Sequence, residues 1–367
     1  RSTLFPYTTL FRSRDDYQLE GVVDVLSGKV NASGHLSDTF VVDNLKSIPA
    51  SQNIGSGLFT DASIVEANAT NGYDPRWPNT EIQTGVHSSF ASQTSYSSDS
   101  YIVEAEGIYV GYKYFETRYY DSIANPSFKA DAKAGSHDGN AWSYDKEVLY
   151  TFGSGLSYLD YTQNITNVVV DKTNEGDVTA TVAIKNNGDK EGLFAAQLYV
   201  QQPYTQYDRT NLVEKSAVMF LNSAKVLVPA GQTKEVTITV PTKYLASYDS
   251  KAAKTYILDE GDYLFTAANG AHEAVNNFLK AQVHTPTSGE AAGAVTKWNS
   301  VSLDTFTYAV SYNYAVTNQA DNADLNYWLP GKVEYMTRQN WETFPKNYND
   351  VSLTIAESAK KDEWLKE

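Results

Sequence analysis

Two glutamates, Glu104 and Glu106, stand two positions apart in the aromatic run YIVEAEGIYVGYKYFETRYY, residues 101–120. Cleavage of a glycosidic bond requires two carboxyl groups on either side of that bond, about 5 Å apart when the anomeric configuration is retained. The composition of the run predicts a β-strand, on which residues i and i+2 face the same side. Because two carboxylates on one side of a strand cannot flank a sugar ring, we do not expect Glu104 and Glu106 to form a catalytic pair.

The other acidic, serine and histidine residues also favour structural roles. The pair Asp15–Asp16 is typical of a solvated helix start, and the aspartates of the C-terminal polar stretches predict turns or caps: Asp321, Asp324 and Asp350. The serines of GSGLS, residues 153–157, lack the G-x-S-x-G pattern of a nucleophile, and their neighbours predict a packed aromatic turn: Tyr150, Phe152, Leu156 and Tyr158. The five histidines have no ligand-like spacing and are expected at the surface or in turns: His35, His87, His137, His272 and His284.

Candidate ligand-binding residues are equally sparse. Four aromatic residues of loop-like stretches have the chemistry to stack on sugar rings, although a lone loop aromatic more often fills a packing gap: Trp77, Tyr96, Tyr101 and Trp142. The G-x-G of Gly55–Gly57 has no helix after it, and three glycosylation sequons begin at Asn31, Asn68 and Asn164. We therefore assign no catalytic residue, no metal ligand and no cofactor, and the substrate-binding residues stay unknown.

Composition excludes several function classes. The chain has 367 residues and a formal net charge of −15, which argues against a nucleic-acid partner, since such a partner requires a basic face. It has no cysteine, which excludes disulfides and thiolate metal sites. No apolar run approaches the roughly 20 residues of a membrane span, so we expect no membrane partner. The oligomeric state is left open.

The elements that would position these residues fall into distinct regions. Residues 1–13, RSTLFPYTTLFRS, resemble an in-frame translation of a sequencing-library adapter and are excluded from the fold. QLEGVVDVLSG predicts a short helix ended by Gly28, followed by a strand over residues 39–42. Residues 51–100 are rich in turn-forming residues and predict a long loop. The chain ends in LTIAESAKKDEWLKE, which predicts a helix.

The clearest pattern is β. In DVTATVAIKNNG, apolar side chains are predicted to alternate inward: Val178, Ala180, Val182 and Ile184. Similar stretches bounded by Gly, Pro or Asn, including LFAAQLYVQQP, VLVPAGQTKEVTITVP and TYILDEGDYLFTAANG, predict about seven strands over roughly 120 residues. The predicted fold is an antiparallel β-sandwich. Its outward positions are mostly Thr, Lys and Gln, with Tyr199 and Tyr263 as isolated aromatic exceptions.

Five motifs together resemble glycoside hydrolase family 3, in matching order and spacing. They are VVDVLSGKVNASGHLSDTF (22–40), EGIYVGYKYFETR (106–118), YTFGSGLSYLDY (150–161), NNGDKEGLFAAQLYVQQP (186–203) and VLVPAGQTKEVTITV (226–240). The resemblance implies a mixed α/β and all-β fold, in which part of an α/β-sandwich domain precedes a fibronectin type III-like, immunoglobulin-like β-sandwich. The implied division is 14–128 for the α/β piece, 129–163 for a connector, 164–285 for the β-sandwich and 286–367 for a connector towards a (β/α)₈ barrel. That order matches members with inverted domains.

The resemblance also implies a function. Members of this family are retaining β-glycosidases, and a β-glucosidase acting on oligosaccharides or aryl β-glucosides is the expected activity of the whole enzyme, with no cofactor. The family's nucleophile and acid/base motifs have no counterpart in this chain, which is therefore expected to be scaffold and inactive alone. Inverted members often lack a signal, a weak indication of a cytoplasmic location. The alternative is a carbohydrate-binding or adhesive β-sandwich module, which would need a planar row of exposed aromatics.

Overall fold

The computed structural model describes residues 17–50, 103–173, 175–306 and 333–345, with residues 326 and 331 and five short backbone segments. Its α-helices are Tyr17–Leu26 (α1), Tyr112–Ala124 (α2), Tyr144–Glu147 (α3), Gln206–Asn211 (α4) and Ala271–Ala281 (α5). Two 3₁₀ turns are Pro126–Phe128 and Thr242–Leu245. The strands before the sandwich are Phe40–Val41 (β1), Gly57–Phe59 (β2), Ser100–Tyr101 (β3) and Val148–Tyr150 (β4).

The next strands, in chain order, are Tyr161–Val170 (β5), Asp177–Asn186 (β6), Gly192–Gln201 (β7), Met219–Val228 (β8), Thr233–Pro241 (β9), Ser247–Asp249 (β10), Thr255–Leu258 (β11) and Gly261–Ala267 (β12). They are followed by Val295–Ser300 (β13), Asp304–Phe306 (β14), Tyr308–Ala309 (β15), Ala315–Val316 (β16) and Ser352–Leu353 (β17).

Seven of these strands build a β-sandwich. One sheet has the order β5-β6-β9 and the other β13-β12-β7-β8, and every pairing within them is antiparallel. The chain passes from β8 to β9, and so from one sheet to the other, over the turn 229–232, where Gly231 adopts a φ of 66°. A side chain with a Cβ is disfavoured at that angle, which explains the glycine. The predicted sandwich is confirmed.

The alternating pattern of β6 is also confirmed. Its four inward apolar side chains are fully buried: Val178, Ala180, Val182 and Ile184. They meet apolar residues of the opposite sheet, including Phe194, Leu198 and Phe265. Because side chains of successive strand residues point to opposite faces, this alternation fixes which face of the sheet is buried.

The run 101–120 was predicted to be a strand, and this is wrong. It begins with the short β3, passes through turns at residues 104–107 and continues as helix α2. Seven residues of α2 are buried, and they lie on all sides of the helix: Tyr114, Phe115, Glu116, Thr117, Arg118, Tyr119 and Asp121. The preference of aromatic residues for strands depends on the packing around them. Here tertiary contacts stabilise a helix and override that preference.

Helix α5 packs on α2 and was not predicted from the sequence. The stretch TYILDEGDYLFTAANG holds two strands, which are separated at residues 259–260. Its first half, β11, pairs with β10 and β14 in a separate small sheet, and only its second half, β12, joins the sandwich. The side chains between α2, α5 and the sandwich form a second core, centred on Tyr114, Phe115 and Trp341.

The N-terminal expectations are confirmed within the described residues. Helix α1 matches the predicted helix, and Gly28 after it has a φ of 71°. Strand β1 lies inside the predicted strand 39–42 and pairs with β4. The predicted loop 51–100, apart from β2 and Ser100, and residues 354–367 of the predicted C-terminal helix lie outside the described residues.

Candidate functional site

Glu104 and Glu106 do not share one face of a strand, because both lie in the turns before α2. Glu104 is exposed, whereas Glu106 is buried, with 6% of its surface exposed. Burial raises the pKa of Glu106, and the neighbouring Glu104 charge adds to the effect. The strand argument against a catalytic pair was therefore wrong in its premise. The two side chains differ in burial, and neither lies on a strand.

The GSGLS segment is a packed turn only in its first half. Phe152 stacks on Tyr112 with ring centroids 4.4 Å apart, and Gly153 has a φ of 79°. A Cβ at Gly153 would lie 2.5 Å from both the Gln197 Oε1 and the Tyr199 hydroxyl, so glycine is required there. The predicted packing is wrong for three of its four neighbours, because Tyr150, Leu156 and Tyr158 are 63%, 89% and 60% exposed.

Both serines of this segment have local hydrogen-bond partners. The Ser154 hydroxyl donates to the Thr151 carbonyl at 2.9 Å. The Ser157 hydroxyl lies 2.9 Å from the Leu159 carbonyl and 3.1 Å from the Asn31 Oδ1. Neither contact activates a nucleophile, since a carbonyl or amide oxygen is not a general base of useful strength.

The proposed sugar platforms are not supported where the structure describes them. Trp142 is only 3% exposed, and the Arg118 guanidinium lies 4.7 Å from its ring centroid. Tyr199 and Tyr263, taken as outward aromatics of the sandwich, are both fully buried and pack on Phe220 and Trp298. Trp77, Tyr96 and the side chain of Tyr101 lie outside the described residues.

One histidine was misplaced by the sequence analysis. His272 on α5 is buried, and its Nδ1 lies 2.8 Å from the Glu116 Oε2 of α2, while the Tyr144 hydroxyl donates to the Glu116 Oε1 at 2.5 Å. Burial opposes the charge on His272, but the Glu116 carboxylate outweighs it and raises the pKa of His272. This network joins helices α2 and α5. In the part of the chain that the structure describes, no three His, Asp or Glu side chains form a metal site.

A buried ion pair ties residues 333–345 to α2. The Asp121 carboxylate accepts hydrogen bonds from Arg338 at 2.5 and 3.1 Å and from the Trp341 Nε1 at 3.0 Å. Asp121 and Trp341 are fully buried, and Arg338 is 3% exposed. Residues 217 positions apart in the sequence give no periodic signal, so the sequence analysis did not find this contact.

A second buried ionic group lies beside β11. The Lys215 ammonium is 2.9 Å from the Asp208 Oδ1 and is also paired with Asp259, and all three side chains are buried. Burial raises the pKa of Asp259 to about 6, although Lys215 acts in the opposite direction. Two carboxyl groups facing one ammonium therefore favour a proton on Asp259 in mildly acidic solution.

A polar cavity of about 210 Å³ opens next to these groups. Its wall combines the ends of α2 and β7, helix α4, the start of β12, the residue after α5 and Arg338. The lining side chains carry phenol, amide, guanidinium and carboxylate groups: Tyr120, Asn125, Gln201, Gln202, Tyr204, Arg209, Asp262, Gln282 and Arg338. No sequence pattern predicted this cavity. The one local signal was T-x-x-D at residues 205–208, which forms the capping box of α4.

Known proteins resemble this chain over parts of its length. Residues 195–271 match the model of the fibronectin type III-like domain, a range that includes most of β7 and all of β8, β9 and β12. Beta-glucosidase A of Butyrivibrio fibrisolvens is 29% identical over 259 residues, covering 66% of this chain and 22% of that protein. A beta-glucosidase of Rhizobium radiobacter is 26% identical over 189 residues, covering 51% and 19%. The chain thus spans about a fifth of the length of the curated relatives it matches.

Among solved structures, a beta-glucosidase from Paenibacillus barengoltzii is 22% identical with a TM-score of 0.47, covering 78% of this chain and 22% of that one. The family model and the curated relatives define the class: a mixed α/β chain with a fibronectin type III-like domain, similar to part of the beta-glucosidases. The resemblance of the sequence motifs to beta-glucosidases with a fibronectin type III-like domain is confirmed. The helices in the described part are too short or too polar to cross a lipid bilayer.

Proposed function

We propose that this chain is a supporting part of a retaining β-glucosidase, and that the two reacting carboxyl groups of that enzyme lie outside it. The observation that carries the proposal is the 29% identity to Beta-glucosidase A of Butyrivibrio fibrisolvens along two thirds of this chain. On this proposal, residues 14–128 belong to an α/β-sandwich domain, residues 129–163 connect it to the β-sandwich expected at residues 164–285, and residues 286–367 connect towards a barrel. The strands of the sandwich themselves lie between Tyr161 and Ser300, so β13 extends it beyond the expected boundary.

Two buried carboxylates of α2 support a structural role. Glu116 is held by Tyr144 and His272, and Asp121 is held by Arg338. A reacting carboxylate must contact the anomeric carbon or the leaving oxygen of a sugar. These carboxylates instead face protein groups that occupy both of their oxygens, and so hold helices together.

The chemistry of the whole enzyme would follow double displacement. One carboxylate attacks the anomeric carbon while a carboxylic acid protonates the leaving oxygen, which gives a glycosyl-enzyme. The second group then removes a proton from water, which attacks the same carbon and restores the configuration. The reaction needs no metal and no organic cofactor. In this scheme the present chain fixes the relative positions of the units that carry the reacting groups.

The alternative, a carbohydrate-binding or adhesive sandwich, is not favoured. It needs a row of exposed aromatic rings on one sheet, and Tyr199 and Tyr263 are both buried in the core.

A segment exchange tests the proposal. The matching segment of Beta-glucosidase A is replaced by this chain, and hydrolysis of an aryl β-glucoside is measured. We expect the exchanged enzyme to retain turnover and a version that lacks the segment to lose it. Glu104→Gln and Glu106→Gln in the exchanged segment should leave kcat unchanged. A soluble, folded exchange protein without turnover contradicts the supporting role, and loss of kcat in Glu106→Gln contradicts the placement of the reacting groups.

A further inference from the structure

His272 connects helix α2 to the irregular segment that follows α5. Its Nδ1 lies 2.8 Å from the Glu116 Oε2 of α2, and its Nε2 lies 3.1 Å from the carbonyl oxygen of Ser288. Ser288 belongs to residues 287–290, which lie between α5 and β13 and which we call the latch segment. Both nitrogens of the buried ring therefore face oxygen atoms, one on a neighbouring helix and one on the latch segment.

These two contacts require two protons. A neutral imidazole carries one N–H, so one of its nitrogens donates a hydrogen bond and the other can only accept one. A carbonyl oxygen and an ionised carboxylate donate none. The geometry is satisfied by an imidazolium beside the Glu116 carboxylate, or by a neutral ring beside a protonated Glu116. Loss of one proton from either form leaves a ring nitrogen without a hydrogen against an oxygen atom.

The latch segment packs closely on the ring and on the same two helices. The Ser288 amide donates to the Tyr119 hydroxyl of α2 at 3.1 Å, and the Asn276 Nδ2 of α5 donates to the Ser288 carbonyl at 2.8 Å. Gly289 has a φ of 66°, and a Cβ there would lie 3.0 Å from the Cδ2 of His272. A change in the contact between His272 and Ser288 therefore acts directly on the backbone of this segment.

The surroundings of the ring favour its charged form. Burial opposes the charge on His272, but the Glu116 carboxylate, the Ser288 carbonyl and Asp145 outweigh burial and raise the pKa of His272. The Tyr144 ring stacks on the imidazole with centroids 4.0 Å apart. Burial raises the pKa of this phenol, so it stays neutral near neutral pH. The titratable groups that act on His272 or lie beside it are carboxyls and phenols: Glu116, Tyr119, Tyr144, Asp145, Glu273 and Glu290.

We propose that the proton carried by the pair of His272 and Glu116 is a pH-sensitive latch, which holds residues 287–290 on helices α2 and α5 and releases them when it is lost in alkaline solution. The inference concerns the fold of this chain and does not depend on the proposed enzyme function. Because the pKa of His272 is raised in the latched state, the stabilisation is fully present below the ordinary histidine pKa of about 6.5. It is lost as the pH rises through the folded pKa.

Hydrogen exchange of the full 367-residue chain at a series of pH values tests the latch. The amides of Thr287 and Ser288 both donate to the Tyr119 hydroxyl, so their exchange reports opening of the segment. Each rate is divided by the rate of the unfolded chain at the same pH. We expect the corrected rate to rise by up to about tenfold per pH unit above about pH 6.5, the effect of one proton, and then to level off.

The titration of the ring is measured independently by NMR on chain labelled with ¹³C-histidine. His272 should titrate at the pH where the corrected exchange levels off. His272→Gln removes the titrating ring, so its corrected exchange should be fast and independent of pH. His284→Gln, a substitution in the same connection between α5 and β13 but outside these contacts, is the control and should keep the profile of the parent chain.

The proposal is overturned if the corrected exchange of the parent chain does not change with pH, if His272→Gln keeps the profile of the parent, or if His272 titrates below the ordinary histidine pKa. Circular dichroism and the Tm of each variant establish that fast exchange is not a loss of fold. If His272→Gln fails that check, agreement between the titration of His272 and the exchange profile of the parent chain decides the outcome.

Discussion

The two cores of the molecule are built from different materials. The sandwich core consists of aliphatic and aromatic side chains on alternating strand positions, such as Val182, Ile184 and Phe265. The core around α2 combines aromatic rings with buried charged groups, among them Arg118, Asp121 and Arg338. The first core is specified by a pattern along each strand. The second is specified by pairs of groups that are far apart in the sequence.

This difference has an energetic side. Apolar burial stabilises in proportion to the area removed from water, so a truncated side chain costs in proportion to what is removed. A buried ion pair contributes little net free energy, but removal of one partner leaves the other charge desolvated and unpaired. The helical core should therefore be the more sensitive of the two to single substitutions at its polar positions.

Asp121→Ala is expected to have the largest effect. It removes the carboxylate that balances the buried Arg338 guanidinium and accepts from the Trp341 Nε1, so that the guanidinium keeps only the Lys215 carbonyl. The free energy of unfolding should fall by about 3–5 kcal/mol. Urea unfolding followed by circular dichroism measures the change. Lys297→Ala, which breaks an exposed pair with Asp262, is the control and should cost no more than about 1 kcal/mol. Equal effects of the two substitutions would contradict the greater sensitivity of a buried ion pair to the loss of one partner.

Ile184→Ala probes the apolar core in the same assay. Its side chain is fully buried between the two sheets, and its truncation should cost about 3 kcal/mol through lost burial and the cavity left behind. Lys185→Ala, the next residue on the same strand, points outward and should change the stability by less than about 0.5 kcal/mol. Comparable losses at both positions would contradict the alternating burial of β6.

The Lys215 group should give the stability a dependence on pH. The folded pKa of Asp259 is raised to about 6, so the proton on Asp259 stabilises the folded state. This stabilisation is fully present below the ordinary pKa near 4 and is lost as the pH rises through 6. The parent chain should therefore lose stability relative to Asp259→Asn between pH 4 and 6.

Asp262 should change the stability in the opposite direction, because Asn299 and Lys297 lower its folded pKa. The parent should gain stability relative to Asp262→Asn as the pH rises from acid, and thermal unfolding at several pH values measures both differences.

Tyr204→Phe should have the smallest effect on folding. Its buried hydroxyl makes no hydrogen bond among the described residues, so its removal should leave the stability unchanged or raise it by up to about 1 kcal/mol. Thermal unfolding of the variant and the parent chain measures this change. A loss of more than 1 kcal/mol would show that the hydroxyl has a partner in the folded protein.

The same contrast explains how much could be predicted from the sequence. The sandwich, its alternation in β6 and the end of α1 at Gly28 were predicted because each leaves a local pattern. Helix α2 was mistaken for a strand because burial all around it hides the helical period in an aromatic run. The contacts of His272 with Glu116 and of Arg338 with Asp121 join residues more than 150 positions apart, and no local pattern encodes them.

The cavity was missed for the same reason, since its walls come from six separate parts of the chain. Single polar residues such as Tyr204 and Gln282 are unremarkable in sequence, and only their convergence gives them a common environment. Conversely, Trp142 and Tyr263 had the residue type of sugar platforms but lie in the cores. Residue type alone did not decide exposure.

On the proposed function, this chain supports a sugar-cleaving enzyme without supplying its reacting groups. The most direct measurement is the release of the aryl group from an aryl β-glucoside by the purified, folded 367-residue chain. The proposed supporting role predicts no turnover above the rate in buffer, at any substrate concentration. Saturable turnover that disappears when one carboxyl of this chain is replaced by its amide would contradict it.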